Sequence, residues 1–146
     1  MRRRSIRRSL TSWCQDCGYQ PARHHRLIVE ALEAVARREE NRVAIFMPPG
    51  SAKSTYASVL FPPWLLANAR TNVLAASHTT ELADKWGRRV RNLVAEHSLT
   101  LGIDLAPDNQ AAGRWALTNG TEYYAAGVGT GIAGFRAGLG LIDDPI

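Results

Sequence analysis

The stretch Phe46-Met47-Pro48-Pro49-Gly50-Ser51-Ala52-Lys53-Ser54-Thr55 constrains this chain more than any other, because of what flanks it. Before it, Val43, Ala44, Ile45 and Phe46 read as a short buried strand within Arg42 to Met47. After it, residues 56–67 place Ala57, Leu60, Phe61, Trp64 and Leu65 at helical spacing. Strand, tight turn, Lys-Ser/Thr and helix is the layout of a phosphate-binding loop. Amides at the turn and at the helix N-terminus point toward an anion, and the lysine adds a positive charge. The Ser54 hydroxyl can complete the shell of a magnesium ion. On this reading Pro49, Gly50, Ser51, Ala52, Lys53, Ser54 and Thr55 hold a nucleoside triphosphate. The general pattern G-x-x-x-x-G-K-[ST] would put glycines at Met47 and Ala52, whereas the loop's only glycine is Gly50. An ordinary strand-to-helix turn with a solvated lysine is the plainer alternative.

A second signal lies at the far end, where Leu139-Gly140-Leu141-Ile142 reads as an apolar strand closing on Asp143 and Asp144. Side chains alternate along a strand, so two adjacent acids are awkward inside a sheet but sensible at its carboxyl edge, where open α/β sheets bind ligands. In a phosphate-loop enzyme Asp143 would hold the magnesium ion and Asp144 would orient and deprotonate the attacking water. A turn or helix cap at Asp-Asp-Pro is the competing reading.

Taken together, these segments resemble the ATPase domain of the tailed-phage terminase large subunit, the motor that pumps DNA into an empty capsid. The residues carrying the resemblance are Pro21-Ala22-Arg23-His24-His25-Arg26-Leu27-Ile28, Met47 to Thr55 with its Pro-Pro-Gly-Ser-x-Lys-Ser form, and Ile132-Ala133-Gly134-Phe135-Arg136 leading into Leu141-Ile142-Asp143-Asp144-Pro145-Ile146. It runs from about Trp13 to the last residue. It implies a P-loop NTPase of the additional-strand, RecA/helicase-like type: an α/β fold with a mostly parallel sheet flanked by helices, incomplete at its C-terminus and without the nuclease domain. It implies ATP and Mg2+ as cofactors, with Ser54 and Asp143 on the metal and Asp144 as base. His25 is implied near the nucleotide base, where an imidazole can stack on a purine; polar residues opening a surface helix are the alternative. Arg136 is implied in the catalytic neighbourhood, either as an arginine finger toward a neighbouring subunit's γ-phosphate or as a structural arginine paired to an acid.

The implied partners are double-stranded DNA, the terminase small subunit and the portal of the procapsid. A homo-oligomeric ring in the host cytoplasm, with no membrane, completes the expectation. A superfamily 2 helicase-like ATPase shares the loop and the acid pair. A truncated nucleotide-binding fragment without turnover is the reading from a different class.

Composition narrows the alternatives. At 146 residues, 45% hydrophobic and 21% charged, the chain has the make-up of one globular domain, and no apolar run approaches the roughly 20 residues of a membrane span. The formal charge of +5 suits a polyanionic partner without requiring one. Much of it is local: Arg2, Arg3, Arg4, Arg7 and Arg8 make residues 1–12 a basic arm ahead of a partial ATPase domain over 13–146. A solvated tail, a DNA-contacting arm and an organelle transit segment compete for it. Cys14 and Cys17 form a C-x-x-C with no strand before it and no usual finger spacing to His24 and His25, so two reduced thiols are expected.

Between the two motifs the chain alternates. Leu27 to Arg38 reads as an amphipathic helix, and 72–77 as a second buried strand. Thr79 or Thr80 caps a helix to about His97, with Leu82, Trp86, Val90, Leu93 and Val94 inward. Residues 99–113 read as a connecting loop, and Trp115 to Ala125 as a hairpin turning at Asn119-Gly120 in a type I′ turn. The glycines from Gly127 to Gly134 are expected in a mobile loop at the catalytic edge, since no helix or partner acid follows to make a dinucleotide site.

Overall fold

The computed structural model describes residues 2–146. Helices α1 (Arg2–Arg8), α2 (Leu10–Asp16) and α3 (Arg23–Ala36) come first; a wide π-helical segment, Thr55–Leu60, then runs into α4 (Phe61–Ala69). Strand β1 (Val73–Ser77), helix α5 (Thr80–Glu96) and the short α6 (Ser98–Leu101) follow. The remainder is strand: β2 (Leu105–Gln110), β3 (Arg114–Leu117), β4 (Glu122–Gly127) and β5 (Leu139–Ile142).

The five strands form one sheet in the order β2-β3-β4-β1-β5. Strand β1 pairs in parallel with β4 on one side and β5 on the other, while β2/β3 and β3/β4 are antiparallel. The architecture is α/β with helices flanking the sheet, but the sheet is mixed rather than mostly parallel. The reason lies in residues 114–127, where a hairpin supplies two neighbouring strands without a crossover.

That hairpin was expected, though not its turn. Leu117 N donates to Thr121 O at 2.9 Å and Gly120 N to Leu117 O at 3.0 Å, so three residues lie between the paired positions. Only Gly120, at φ +86°, is left-handed. A type I′ turn needs positive φ at both central residues; a three-residue loop needs it once, at its glycine. The stretch 99–113 is likewise not one loop, since it holds α6 and the edge strand β2. Strand β2 pairs with β3 through a shifted register, which masks the alternation a strand would show in sequence.

The largest departure concerns residues 43–46. They form no strand: among the described residues nothing pairs with them, and Phe46 is 91% exposed. An apolar run has the composition of a strand, but a strand exists only where a partner satisfies its backbone.

Residues 2–8 and 10–12 are helical rather than a free arm. Ile6 and Leu10 are buried in the same core cluster as Leu32, Leu60, Val73 and Tyr123, while Arg3, Arg4, Arg7 and Arg8 stay exposed. Indole N–H groups fasten these helices to the rest. Trp13 Nε1 donates to the Leu60 carbonyl at 2.7 Å, and Trp64 Nε1 to the Ile6 carbonyl at 3.1 Å. A buried indole N–H usually finds an acceptor, and these two find theirs on neighbouring helices.

Helix α5 forms where its sequence predicts, but its buried face is Ala83, Gly87, Val90 and Val94, with Leu82, Trp86 and Leu93 only half-buried beside it. Thr79 caps it, accepting from Leu82 N at 3.1 Å, and Val90 and Val94 are buried. At Gly87 it packs closely on β4, where an added Cβ would come within 3.3 Å of Ala125 and Tyr123 and within 2.6 Å of the Ala112 carbonyl between β2 and β3.

Cys14 is buried and Cys17 half-buried, both as free thiols. Burial pushes the Cys14 thiol up from 9.0 to about 12. Burial first, then the charges of Cys14 and Asp16, raises Cys17 as well. Both thiols should therefore alkylate more slowly than an unfolded thiol at pH 8, on the order of 100-fold or more, because thiolate is the reactive form. Since both values are raised in the fold, the stability they confer is complete below pH 9 and falls as pH rises toward 12 and beyond. Iodoacetamide kinetics in native and urea-unfolded protein, with urea midpoints at pH 8 and pH 10, test both statements; equal rates would show that the thiols are open to solvent.

Candidate functional site

Because β1, β4 and β5 are parallel, they end at one edge of the sheet. Ser77 and His78 leave β1 there, Gly127 and Val128 leave β4, and Asp143 and Asp144 leave β5. Three hydrogen bonds tie these ends together: Asp143 N to Ala76 O at 3.0 Å, His78 N to Asp144 O at 2.9 Å, and Val128 N to Ser77 O at 2.9 Å. The helical run that begins at Lys53 meets this edge, with Ser58 reaching Asp143. A cavity of about 570 Å³ opens between β5 and the extended segment 41–46, and Lys53, Ser54, Asp143 and Asp144 all line it. Residues 90 apart in sequence, Lys53 and Asp143, thus line one cavity.

The loop itself is shaped by backbone geometry. Gly50 (φ +78°) and Ala52 (φ +62°) are both left-handed. Ala52 is where the general pattern has a glycine, and the structure gives it the backbone conformation that glycine would adopt without strain. Ser51 N donates to Pro48 O at 3.3 Å and Tyr56 N to Ala52 O at 3.2 Å. Among the described residues the amides of Gly50 and Ala52 have no backbone partner, and the Ser51 hydroxyl is buried without one.

His25 is brought to the loop, but both its nitrogens are engaged there. Nδ1 accepts from the Ala22 amide at 3.1 Å, which leaves Nε2 as the protonated nitrogen donating to the Ser51 carbonyl at 2.8 Å. Its ring stacks on Tyr56, with centroids 4.4 Å apart and planes 26° from parallel. The imidazole therefore braces the loop. The expectation of a ring stacked on a purine has to accommodate a face already covered by Tyr56.

Arg136 is not brought to this edge. Its carbonyl accepts from Asn72 Nδ2 at 3.0 Å, just ahead of β1, and β5 starts three residues later. The glycine-rich segment begins at the carboxyl edge, after β4, and ends at the amino edge, before β5. A four-residue strand spans roughly 13 Å, so Arg136 and the two acids sit at opposite ends of β5. Its guanidinium is exposed, with no ion pair among the described residues.

Ser58 is the residue that sequence reasoning passed over. It is 6% exposed, and its hydroxyl donates to Asp143 Oδ2 at 2.7 Å. A serine at a buried position of an apolar helix needs a partner, and this was the available signal. The partner lies 85 residues away and could not be named without the fold.

The donors suit a hard cation. Ser54 and Asp143 offer a hydroxyl and a carboxylate, and Mg2+ favours a few such oxygens completed by phosphates and water over an all-protein cage. Among the described residues no three His, Cys, Asp or Glu side chains gather where they could hold a metal ion on their own. Also among the described residues, no helix is long and apolar enough to cross a membrane. Comparison with protein-family models, with curated proteins and with solved structures finds no match to this chain.

The left-handed backbone at Ala52 gives a direct test of the loop's geometry. Ala52→Gly should stabilise the fold by roughly 0.5–1 kcal/mol, the strain relieved less the extra entropy glycine loses on folding. Urea denaturation of the two proteins measures it, and a lower midpoint for the glycine variant would mean that Ala52 is not left-handed in solution.

Proposed function

We propose that this chain binds a nucleoside triphosphate with Mg2+ and hydrolyses it, as the ATPase portion of a DNA-packaging motor of the terminase large-subunit type. The observation that carries the reading is the convergence of Lys53 and Ser54, at the start of a helix after a strained turn, with Asp143 and Asp144 at the end of a parallel strand, on one cavity. Each residue type has a task there. Lys53 neutralises phosphate charge, and the free amides around Gly50 and Ala52 accept phosphate oxygens. Ser54 and Asp143 would hold the magnesium ion, which supplies charge neutralisation at the phosphates when bound. Asp144 is exposed, accepts no hydrogen bond from a side chain among the described residues, and is free to take a proton from water. DNA, a small subunit, a portal and a ring of copies enter this reading through the resemblance alone, as does a host-cytoplasmic location; a superfamily 2 helicase-like ATPase would use the same four residues.

A second reading, nucleotide binding without turnover, is favoured by two placements. Residues 43–46 lie outside the sheet, so no ladder fixes the approach to the loop. Arg136 sits at the far edge, so the cations that line the chain's own cavity are Lys53 and Arg42, the latter on the unpaired segment before the loop.

Two substitutions separate the readings. Lys53→Ala should weaken ATP binding by roughly 10- to 100-fold, the loss of a charge-assisted contact worth about 1.5–3 kcal/mol. Asp144→Asn should leave binding within about twofold and lower turnover by roughly 100-fold or more. Equilibrium binding of a fluorescent ATP analogue and a phosphate-release assay on the intact chain give both numbers. Unchanged binding in the lysine variant would remove the phosphate loop from the argument. Binding without phosphate release in the parent protein would select the second reading.

A further inference from the structure

Asp143 carries a charge at the rim of the cavity, and something must decide which way its carboxylate faces. Its backbone is fixed by the bond from its amide to Ala76 O, but that leaves the side-chain torsions free. The one side-chain hydrogen bond it makes among the described residues is from the hydroxyl of Ser58, at 2.7 Å on Oδ2, which leaves Oδ1 without a hydrogen-bond partner among them. An O–H donating to a carboxylate at that distance is a strong, charge-assisted bond. Ser58 itself has little freedom, since Tyr56, Leu60 and Phe61 around it pack the helix against the core and Val59 beside it is buried. The run is π-helical there, with Phe61 N bonded back to Tyr56 O, and such widened turns recur at functional sites.

We infer that Ser58 is a positioning residue for magnesium: by holding Oδ2 of Asp143 it aims Oδ1 at the cavity and sets the spacing between that carboxylate and Ser54, one turn earlier on the same helical run. The inference rests on the nucleotide reading of the site and adds to it the residue that orients the metal's carboxylate. The chemistry is that of an outer-shell hydrogen bond. A partner that fixes a ligating carboxylate typically governs metal affinity by 10- to 100-fold while touching neither metal nor substrate. A serine buried only to fill space would have no such effect, because alanine fills nearly the same volume.

The test uses the intact chain and reads binding of ATP as a function of Mg2+ concentration, in the parent protein and in Ser58→Ala, Asp143→Asn and the double variant. Ser58→Ala should raise the half-saturating Mg2+ concentration by roughly 10-fold or more, with magnesium-free ATP binding within about twofold. Asp143→Asn should raise it at least as far, and adding Ser58→Ala to Asp143→Asn should change nothing more, since the serine acts only through the carboxylate. Ser58→Cys, close in volume and a weaker donor, should fall between parent and alanine. Additive effects in the double variant, or a parent-like Mg2+ dependence in a Ser58→Ala protein that melts normally, would overturn the inference and leave the nucleotide reading standing. A parent protein that binds no ATP at any Mg2+ concentration would overturn both.

Discussion

The parallel pairing of β1 with β5 is the contact on which the site depends. It matches Val73 with Leu139 and Ala76 with Ile142, so the two strands end within a residue of each other. Asp143 therefore emerges beside Ser77 and in reach of the helix that follows the loop. A register slip of one residue would exchange the faces of Asp143 and Asp144, sending the wrong acid toward Ser58. The slip is opposed on both sides of the pair, by Leu139 and Leu141 packed against the core and by the bonds that continue the ladder past Ile142. Sheet register, a matter of apolar packing, thus fixes which carboxylate faces which partner.

What was legible in the sequence was local or repeated. Thr79 announces α5 because a cap and a 3.6-residue apolar period leave one solution. The acids at 143 and 144 announce a strand end because alternation forbids both inside a sheet. Gly120 marks the hairpin because its three-residue loop needs one left-handed residue. What was not legible depended on a partner chosen by the fold. Residues 43–46 carry a strand's composition without a strand's neighbour, and β2 gained a neighbour, β3, that its own composition did not suggest. Arg136 looked close to Asp143 at seven residues' separation, yet a strand lies between them, so sequence nearness placed it at the far edge.

The loop shows the same division. It departs from the glycine pattern at Ala52, yet the backbone there keeps the left-handed conformation and accepts the strain. Such strain persists only where the surroundings over-determine it. His25 is one reason it persists here: with Nδ1 taken by Ala22 and Nε2–H on the Ser51 carbonyl, the ring leaves the loop no slack on that side. The motif around His24 and His25 was visible in sequence; its work on the loop's backbone was not.

Two hydrogen bonds consequently do what a sheet ladder does in a loop that follows a paired strand. His25 to Ser51 holds the turn from one side, and Ser58 to Asp143 holds the following helix to the acid edge from the other. Upstream, Phe46 is exposed and segment 41–46 faces β5 across the cavity without pairing. The entrance is held by packing instead, since Ile45 and Met47 lie half-buried against the core. The approach to Lys53 and Ser54 therefore depends on the packing of Ile45 and Met47, where a paired strand would depend on its backbone ladder.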